Sequence, residues 1–227
     1  MNLLAIGYLS CAVFCLLLSS FVMGRHEKSP VRDAFLIQVF FFLIWQVGTY
    51  EVLVAPNAYW ATIFSRIAYA GCIFLSVASY QLVVNFCSLK SQFKFVTLGY
   101  CLGAIVFFPL LFTDQLMTQA YLYPWGYWFH AGRLHPLYLI FFTVYGWASF
   151  INLIVQQAKV TDRSEKGKYR FLFWAYFIVY FSNIDFWPDY GYPVLPLGFL
   201  FTSIWLITIW VVIKPYDYFS MWRRILR

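Results

Sequence analysis

Charged residues are scarce in this sequence. Asp, Glu, Lys and Arg make up 11% of the 227 residues, whereas 63% are hydrophobic and the mean hydropathy is +0.70. Soluble domains carry about 25% charged residues and roughly 45–50% apolar residues. The composition therefore excludes an ordinary soluble domain and indicates an integral membrane protein.

The residue patterns of several enzyme and cofactor sites are also missing. The midplanes of the apolar runs contain no acid, base or lysine, which excludes a retinal Schiff base in the last helix and disfavours a transporter. The histidines His26, His130 and His135 lie in loops or at a helix end, so no intramembrane hydrolase site forms. The 5 cysteines fall in predicted spans without a CxxC pair or a Cys/His cluster, so we expect buried packing residues, no disulfide and no metal. We predict neither an enzyme nor a cofactor.

Long apolar runs fill most of the chain. About 20 apolar residues in a helix cross the hydrocarbon core, and runs such as VFFFLIWQV are apolar on every side, unlike the alternating strands of a barrel. We predict an all-α, polytopic bundle of seven transmembrane helices over residues 1–213, followed by a basic cytoplasmic tail at 214–227. The predicted helices are 2–23, 33–54, 61–87, 96–113, 135–157, 170–187 and 194–213.

The positive charges predict the orientation of the bundle. All of the 16 lysines and arginines except Arg66 and Arg133 lie in the loops after helices 1, 3 and 5 or in the tail. Because Lys and Arg in short loops stay on the cytoplasmic side, we predict an N-terminus outside and a C-terminus in the cytoplasm. The net charge of +7 then reflects topology, and no nucleic-acid partner is predicted.

Ionisable side chains gather at the predicted outer ends of the helices. Glu51 ends helix 2, Arg66 opens helix 3 and Asp185 ends helix 6. One interpretation is that they lock the bundle, with Arg66 paired to Glu51. The other is that they line an outward-facing polar cup beneath two caps, residues 125–135 and 185–193, where a small molecule would find polar groups in an apolar concavity.

One face of helix 3 and one face of helix 6 point into this predicted cup. Residues three and four apart share one face of a helix, and such stripes serve either interhelical packing or ligand contact. The stripe on helix 3 is Arg66, Tyr69, Ile73, Ser76 and Tyr80, and that on helix 6 is Tyr176, Tyr180, Asn183 and Trp187. His135 is the candidate pH-sensitive group, since an unperturbed imidazole has a pKa of about 6.5. The candidate ligand-binding residues are Glu51, Arg66, Tyr69, His135, Asp185 and Trp187.

Two outer loops carry a resemblance to a known family. The segment NIDFWPDYGYPVLPLGF (residues 183–199) and the segment YPWGYWFHAGRLHPLYLIFF (residues 123–142) resemble the N-terminal seven-transmembrane sensor region of bacterial membrane histidine kinases. In the first segment, prolines stop the helix and Gly191 permits a backbone conformation that residues with a Cβ resist. Weaker similarities extend over nearly all of the chain, including KSPVRDAFLI at the opening of helix 2 and RIAYAG in helix 3.

The resemblance implies a receptor in the bacterial plasma (inner) membrane, a multi-pass module of a two-component system. Such a module detects an extracellular or intramembrane cue and passes it to a cytoplasmic output partner such as a histidine kinase. The tail after Ile213 has no His and no Gly-rich nucleotide motif, so we expect either a sensor fragment or a free-standing form that works through a partner.

A second class of function stays open. The aromatic surface also suits a non-catalytic accessory subunit of a larger membrane complex, packed around a lipid, quinone or pigment. The predicted partners are therefore the lipid bilayer and either a cytoplasmic kinase or other output protein, or a larger membrane complex, with a homodimer as a further option.

Overall fold

The structure is a computed structural model that describes residues 2–25 and 28–213. Its described part contains seven main helices. They are α1 (Leu3–Arg25), α2 (Pro30–Val54), α3 (Ala58–Phe86), α4 (Phe93–Leu102), α5 (His135–Lys159), α6 (Arg163–Tyr180) and α7 (Gly198–Ile213). After Leu102 the α4 helix continues through a π-helical segment, Gly103–Phe107, to Leu110. The predicted tail at 214–227 lies outside the described residues.

Side-chain caps begin four of these helices, the first being α1, where the Asn2 side-chain oxygen accepts from the backbone N–H of Leu4 at 3.1 Å. Ser29 precedes α2, and its hydroxyl accepts a hydrogen bond of 3.1 Å from the backbone N–H of Arg32. Asn57 caps α3 in the same way, and Asp162 caps α6. Each cap satisfies a backbone donor that has no partner inside the helix, which stabilises a helix by about 1 kcal/mol.

Five of the helices are long and apolar enough to cross a membrane, namely α1, α2, α3, α4 with its continuation, and α5. The α6 helix begins with charged turns, and α7 is a shorter apolar helix. The chain thus has the build of a helical membrane protein, and the all-α prediction is confirmed at that level.

Three predicted helix limits are wrong by four residues or more, namely both limits of the sixth helix and the start of the seventh. The sixth helix starts at Arg163 rather than residue 170, because the Asp162 cap extends it through its charged first turns. It ends at Tyr180 rather than residue 187 and is followed by a 3-10 helix, Phe181–Phe186. The seventh helix starts at Gly198 rather than residue 194. Pro196 lies in the segment without regular secondary structure before it. Each proline there lacks an N–H and pushes the preceding residue out of the helical region.

A small β-hairpin forms where the sequence predicts only a loop. Strand β1 (Tyr121–Tyr123) pairs antiparallel with β2 (Gly126–Trp128), so that Tyr121 lies opposite Trp128. Only three residues form each strand, too few to give a recognisable alternation of apolar and polar residues.

Contacts between distant segments assign the loops to the two ends of the bundle. At one end the Asn2 side-chain amide donates to the Trp125 carbonyl at 2.8 Å, and it also reaches the last turn of α2. At the other end Gln92, just before α4, accepts from the hydroxyl of Tyr80 on α3 and exchanges two hydrogen bonds with Asn152 on α5. The central helix is α3, which packs against α2, α4 and α5.

The cysteines follow the prediction with one exception. Cys11, Cys15, Cys72 and Cys87 are buried, whereas Cys101 is exposed on α4. The expectation that all of them pack inside the bundle is wrong for Cys101, because the apolar outer face of a membrane helix accepts a thiol as readily as its inner face does.

Candidate functional site

Two loops close the end of the bundle that contains Asn2. We call residues 121–134 the hairpin cap and residues 185–193 the turn cap. The N–H of Ala131 donates to the Asp189 carbonyl at 2.7 Å, and the hydroxyl of Tyr123 donates to the Pro188 carbonyl, also at 2.7 Å. In the turn cap Gly191 has a φ of +84°, so the left-handed conformation predicted for it is confirmed. The two caps are therefore hydrogen-bonded directly to each other.

The Asp189 carboxylate lies at the centre of the hydrogen bonds that join the two caps and α3. One oxygen accepts from the Trp128 indole N–H at 2.8 Å, and the other accepts from the Tyr69 hydroxyl at 2.7 Å. The side chain has no exposed surface. Burial raises the pKa of Asp189 well above its ordinary value, while the hydrogen bonds from Tyr69 and Trp128 act in the opposite direction. Asp189 therefore holds one residue of α3 and one of the hairpin cap in fixed positions.

His135 extends the network to the start of α5. Its Nε2 lies 2.6 Å from the Tyr69 hydroxyl oxygen and its Nδ1 lies 2.8 Å from the Tyr190 hydroxyl oxygen. A phenol has one proton to donate, and Tyr69 donates it to Asp189, so Nε2 carries a proton and donates to Tyr69. The Nε2 atom is also 3.6 Å from Asp189, and both side chains are fully buried.

A second histidine lies in the hairpin cap. The Nε2 of His130 is 2.8 Å from the Tyr123 hydroxyl oxygen, and its ring stacks on Tyr121 at a centroid distance of 4.2 Å. Burial lowers the pKa of His130. Neutral His130 thus forms part of the wall of the cap, next to the Tyr123 contact with the turn cap.

Asp185 forms a separate buried contact. Its carboxylate accepts from the Tyr8 hydroxyl at 2.7 Å and from the backbone N–H of Gly198 at 2.8 Å, which ties α1 to the start of α7. A methyl group at position 198 would overlap this carboxylate. The close approach of the acid to the α7 backbone therefore requires glycine.

The structure divides the six predicted site residues into three groups. Tyr69 and His135 share the Asp189 network, and Asp185 lies in its own contact with Tyr8. Glu51, Arg66 and Trp187 are partly or largely exposed, and Trp187 packs edge to face on Tyr192 with 56% of its surface exposed.

The predicted pairing of Arg66 with Glu51 is wrong. Among the described residues Arg66 pairs instead with Asp114, with a distance of 3.4 Å between the guanidinium and the carboxylate. Asp114 follows α4, and a sequence cannot say which of several acids at one end of a bundle lies nearest to a given arginine.

Sequence reasoning placed Asp189 among the ionisable residues of the predicted cup but did not select it as a ligand-binding residue, and it did not select Trp128 or Tyr8. The available signal was the placement of Asp189 in a rigid Pro-Asp-Tyr-Gly turn between two apolar runs. An acid in such a place is favourable only if its carboxylate accepts hydrogen bonds from the protein. No signal in the sequence pairs Tyr8 with Asp185, because the two lie 177 residues apart.

An interior cavity lies below the turn cap. Its volume is about 60 Å³, and it lies among α2, α3, α5, α6 and α7. Ser76 from the predicted helix 3 stripe lines it, as do Tyr180 and Asn183 from the helix 6 stripe. Over residues 2–25 and 28–213, no group of three or more His, Cys, Asp or Glu side chains could hold a metal ion.

Comparisons with known proteins give no relative: no protein-family model matches the chain, and no curated protein is significantly similar to it.

Proposed function

We propose that the chain is a membrane sensory module that detects an extracellular or intramembrane cue and passes it to a cytoplasmic output partner such as a histidine kinase. The observation that carries this proposal is the Asp189 carboxylate, which joins both caps to α3. Through Tyr69 the same network reaches His135, the first residue of α5. A displacement of either cap therefore acts on two helices at once.

The two helices provide a path to the opposite end of the bundle. Both α3 and α5 span its full length, and at the far end Tyr80 and Asn152 are joined through Gln92. Packed helices respond to a local change by small translations or rotations of about 1–2 Å. In the proposal, such a shift at the caps moves the end of the bundle that an output partner would contact.

The placement of the positive charges supports seven spans with the N-terminus outside. The cationic segments after α1, α3 and α5 belong to the end opposite the caps, where Gln92 meets Asn152. This is the arrangement expected when Lys and Arg mark the cytoplasmic side. In the proposed form, α6 and α7 also cross the bilayer of a bacterial plasma membrane, and the module has no catalytic activity.

The test is a fusion of the chain to a histidine-kinase output domain, assayed for autophosphorylation in membranes. Asp189→Asn should change the basal kinase activity several-fold without abolishing membrane insertion, because it weakens the joint between the caps and the helices. Asp114→Asn is the matched control, since it alters an acid at the same end whose side chain is 78% exposed. Equal activity of both variants and the parent, across membranes and detergents of different composition, would rule out the proposed coupling.

A second candidate function is a non-catalytic accessory subunit of a larger membrane complex. The observation in its favour is the exposed aromatic surface of α5 and α6, where Trp147 and Trp174 are 59% and 52% exposed. Purification in a mild detergent distinguishes the two. A co-purifying kinase or response regulator supports the sensory module, and a stoichiometric respiratory or photosynthetic complex supports the subunit.

A further inference from the structure

The interior cavity contains polar groups that have no partner within the described part of the chain. The Ser76 side chain is 3% exposed, and its Oγ has no hydrogen-bond partner. Its neighbour Ser79 bonds back to the Leu75 carbonyl at 2.8 Å, and Ser65 bonds back to Ala61. This back-bonding is the usual solution for a buried helical serine, so Ser76 departs from the pattern of its own helix.

Tyr180 is the second unpartnered group on the cavity wall. Its hydroxyl oxygen is buried and has no hydrogen-bond partner over residues 2–25 and 28–213. A buried polar group left without a partner costs roughly 1–3 kcal/mol, and buried tyrosine hydroxyls usually find one. Two such groups on one cavity, with the Asn183 amide beside them, form a site for an external hydrogen-bonding group.

A groove on the outside of the bundle adjoins the same tyrosine. It lies between α5 and α6, has a volume of about 370 Å³ and opens on the outer surface of the bundle, which would face lipid if both helices span the membrane as proposed. The residues that line it are Trp147, Phe150, Ile154, Phe173, Phe177, Tyr180 and Phe181. Its lining is aromatic and aliphatic, so it suits a hydrocarbon or isoprenoid chain.

The Tyr180 side chain separates the groove from the cavity. Among the described residues it is the one that lines both spaces, and its ring packs on Phe150 with a centroid distance of 5.1 Å. Gly146 gives its hydroxyl room against α5, since a methyl group there would overlap it. The two spaces therefore adjoin at this side chain.

We infer that the cavity and the groove form one binding site for a membrane-soluble amphiphile, whose small uncharged head enters the cavity past Tyr180 while its apolar chain lies in the groove. The inference gives the proposed sensory function a class of ligand and a lateral route from the bilayer, and as a signalling site it rests on that proposed function.

The chemistry of the cavity selects the head group. A volume of about 60 Å³ is room for about four water molecules at roughly 15 Å³ each, and therefore for a head of a few non-hydrogen atoms. No Lys, Arg or His lines the cavity to neutralise an anion, and both oxygens of its single acid, Asp185, already accept hydrogen bonds. A hydroxyl, carbonyl or amide head matches the Ser76 and Tyr180 hydroxyls, which can each donate and accept.

The test uses three photoreactive probes of equal chain length, added to the purified full chain in detergent. The probes are a C16 primary alcohol, a C16 carboxylic acid and a C16 primary amine, each with a diazirine next to the head group. Labelled peptides are mapped by mass spectrometry. We expect the alcohol to label the α3 segment around Ser76 and the α6 segment around Asn183, in competition with unlabelled alcohol.

Variants separate specific binding from contact with the detergent. In Ser76→Ala, the alcohol concentration that gives half-maximal labelling should rise about fivefold. This factor corresponds to the loss of one hydrogen bond of about 1 kcal/mol. Ser76→Leu should abolish it by filling the cavity, and Ser20→Leu, on the exposed face of α1, is the matched control. Ile154→Trp should reduce cavity labelling by obstructing the groove, whereas Ile140→Trp, an exposed position on α5 outside the groove, should not.

Three labelling results would decide against the inference, and the kinase fusion separates its failure from that of the proposed function. Labelling confined to the outer surface, or cavity labelling unchanged by Ser76→Leu and Ile154→Trp in protein that elutes as a single species, would mean that the cavity holds water. Stronger labelling by the acid or the amine would overturn the uncharged class. If the kinase fusion responds to Asp189→Asn but the cavity is not labelled, the binding site fails and the proposed function stands. If the cavity is labelled and the fusion does not respond, the binding site stands and the proposed function fails.

Discussion

Tyr69 donates a 2.7 Å hydrogen bond to Asp189, a residue 120 positions further along the chain. The bond joins the central helix α3 to the turn cap, and Tyr69 simultaneously accepts from His135 at the start of α5. Its surroundings are aromatic, with Phe129 edge to face on the Tyr69 ring at a centroid distance of 4.7 Å. The hydroxyl therefore forms its hydrogen bonds away from water, where a lost partner is costly.

Loss of the Asp189 carboxylate should destabilise the fold. Asp189→Ala leaves the buried donors of Tyr69 and Trp128 without their acceptor, and we expect a loss of about 2–4 kcal/mol in the free energy of unfolding. Asp114→Ala is the control, because its ion pair with Arg66 is exposed and worth under about 1 kcal/mol. Unfolding titrations in mixed micelles would measure both. A loss for Asp189→Ala no larger than that of the control contradicts the assigned role.

The stability should depend on pH through Asp189. Burial raises its pKa in the folded protein, whereas an unfolded aspartate titrates near about 3.9. Between those two values the folded state binds more protons than the unfolded state, so the stability due to this group falls as pH rises. Asp189→Asn should flatten that part of the curve of melting temperature against pH.

His135 offers a check on that sign, since it lies 3.6 Å from the same carboxylate. If the carboxylate were instead charged and paired with a protonated imidazole, its pKa would be lowered in the folded protein. The stability due to it would then rise with pH below about 3.9 and stay level above that value, and the rise would be lost in both Asp189→Asn and His135→Gln.

Gly198 should tolerate no side chain. In Gly198→Ala the new methyl group overlaps the Asp185 carboxylate, and overpacking of this kind costs typically about 1–3 kcal/mol. The matched control is Gly167→Ala in α6, where nothing lies within 4 Å of the added atom and a gain of up to about 1 kcal/mol in helix propensity is expected. Melting temperatures of the two variants should shift in opposite directions; a shift in the same direction would contradict the close approach.

The seven-span topology predicts which side of the membrane each loop faces. Two single cysteines would report it, placed in a Cys101→Ser background because Cys101 is the exposed native thiol. Leu122→Cys, at an exposed site of the hairpin cap, should react with an impermeant maleimide in intact cells, whereas Thr161→Cys, between α5 and α6, should react after lysis only. Labelling of the second position in intact cells would refute the predicted orientation.

The helices and most of their limits could be predicted from the sequence. Apolar runs longer than the hydrocarbon thickness have few alternatives to a helix, because an unpaired backbone N–H or C=O is very costly in lipid. The limits that were wrong by four residues or more lie at α6 and α7, where a capping aspartate and the prolines before Gly198 set the boundary; the others differ by at most three residues. Those local effects outweigh hydropathy, which cannot distinguish a helical residue from an apolar residue in a loop.

The stripes on helices 3 and 6 were also predictable, since periodicity places Ser76 on one face of its helix and Tyr180 and Asn183 on one face of theirs. The sequence determined that polar groups of both helices face inward and that four acids, Glu51, Asp114, Asp185 and Asp189, belong to the predicted outer end of the bundle. Only the tertiary structure decided which of them meet. It joined Asp189 rather than Glu51 to the central helix, paired Arg66 with Asp114 and placed Tyr8 against Asp185. The reason is that a hydrogen bond depends on distances to within a few tenths of an ångström. Helix packing sets those distances, and spacing along a chain does not encode them.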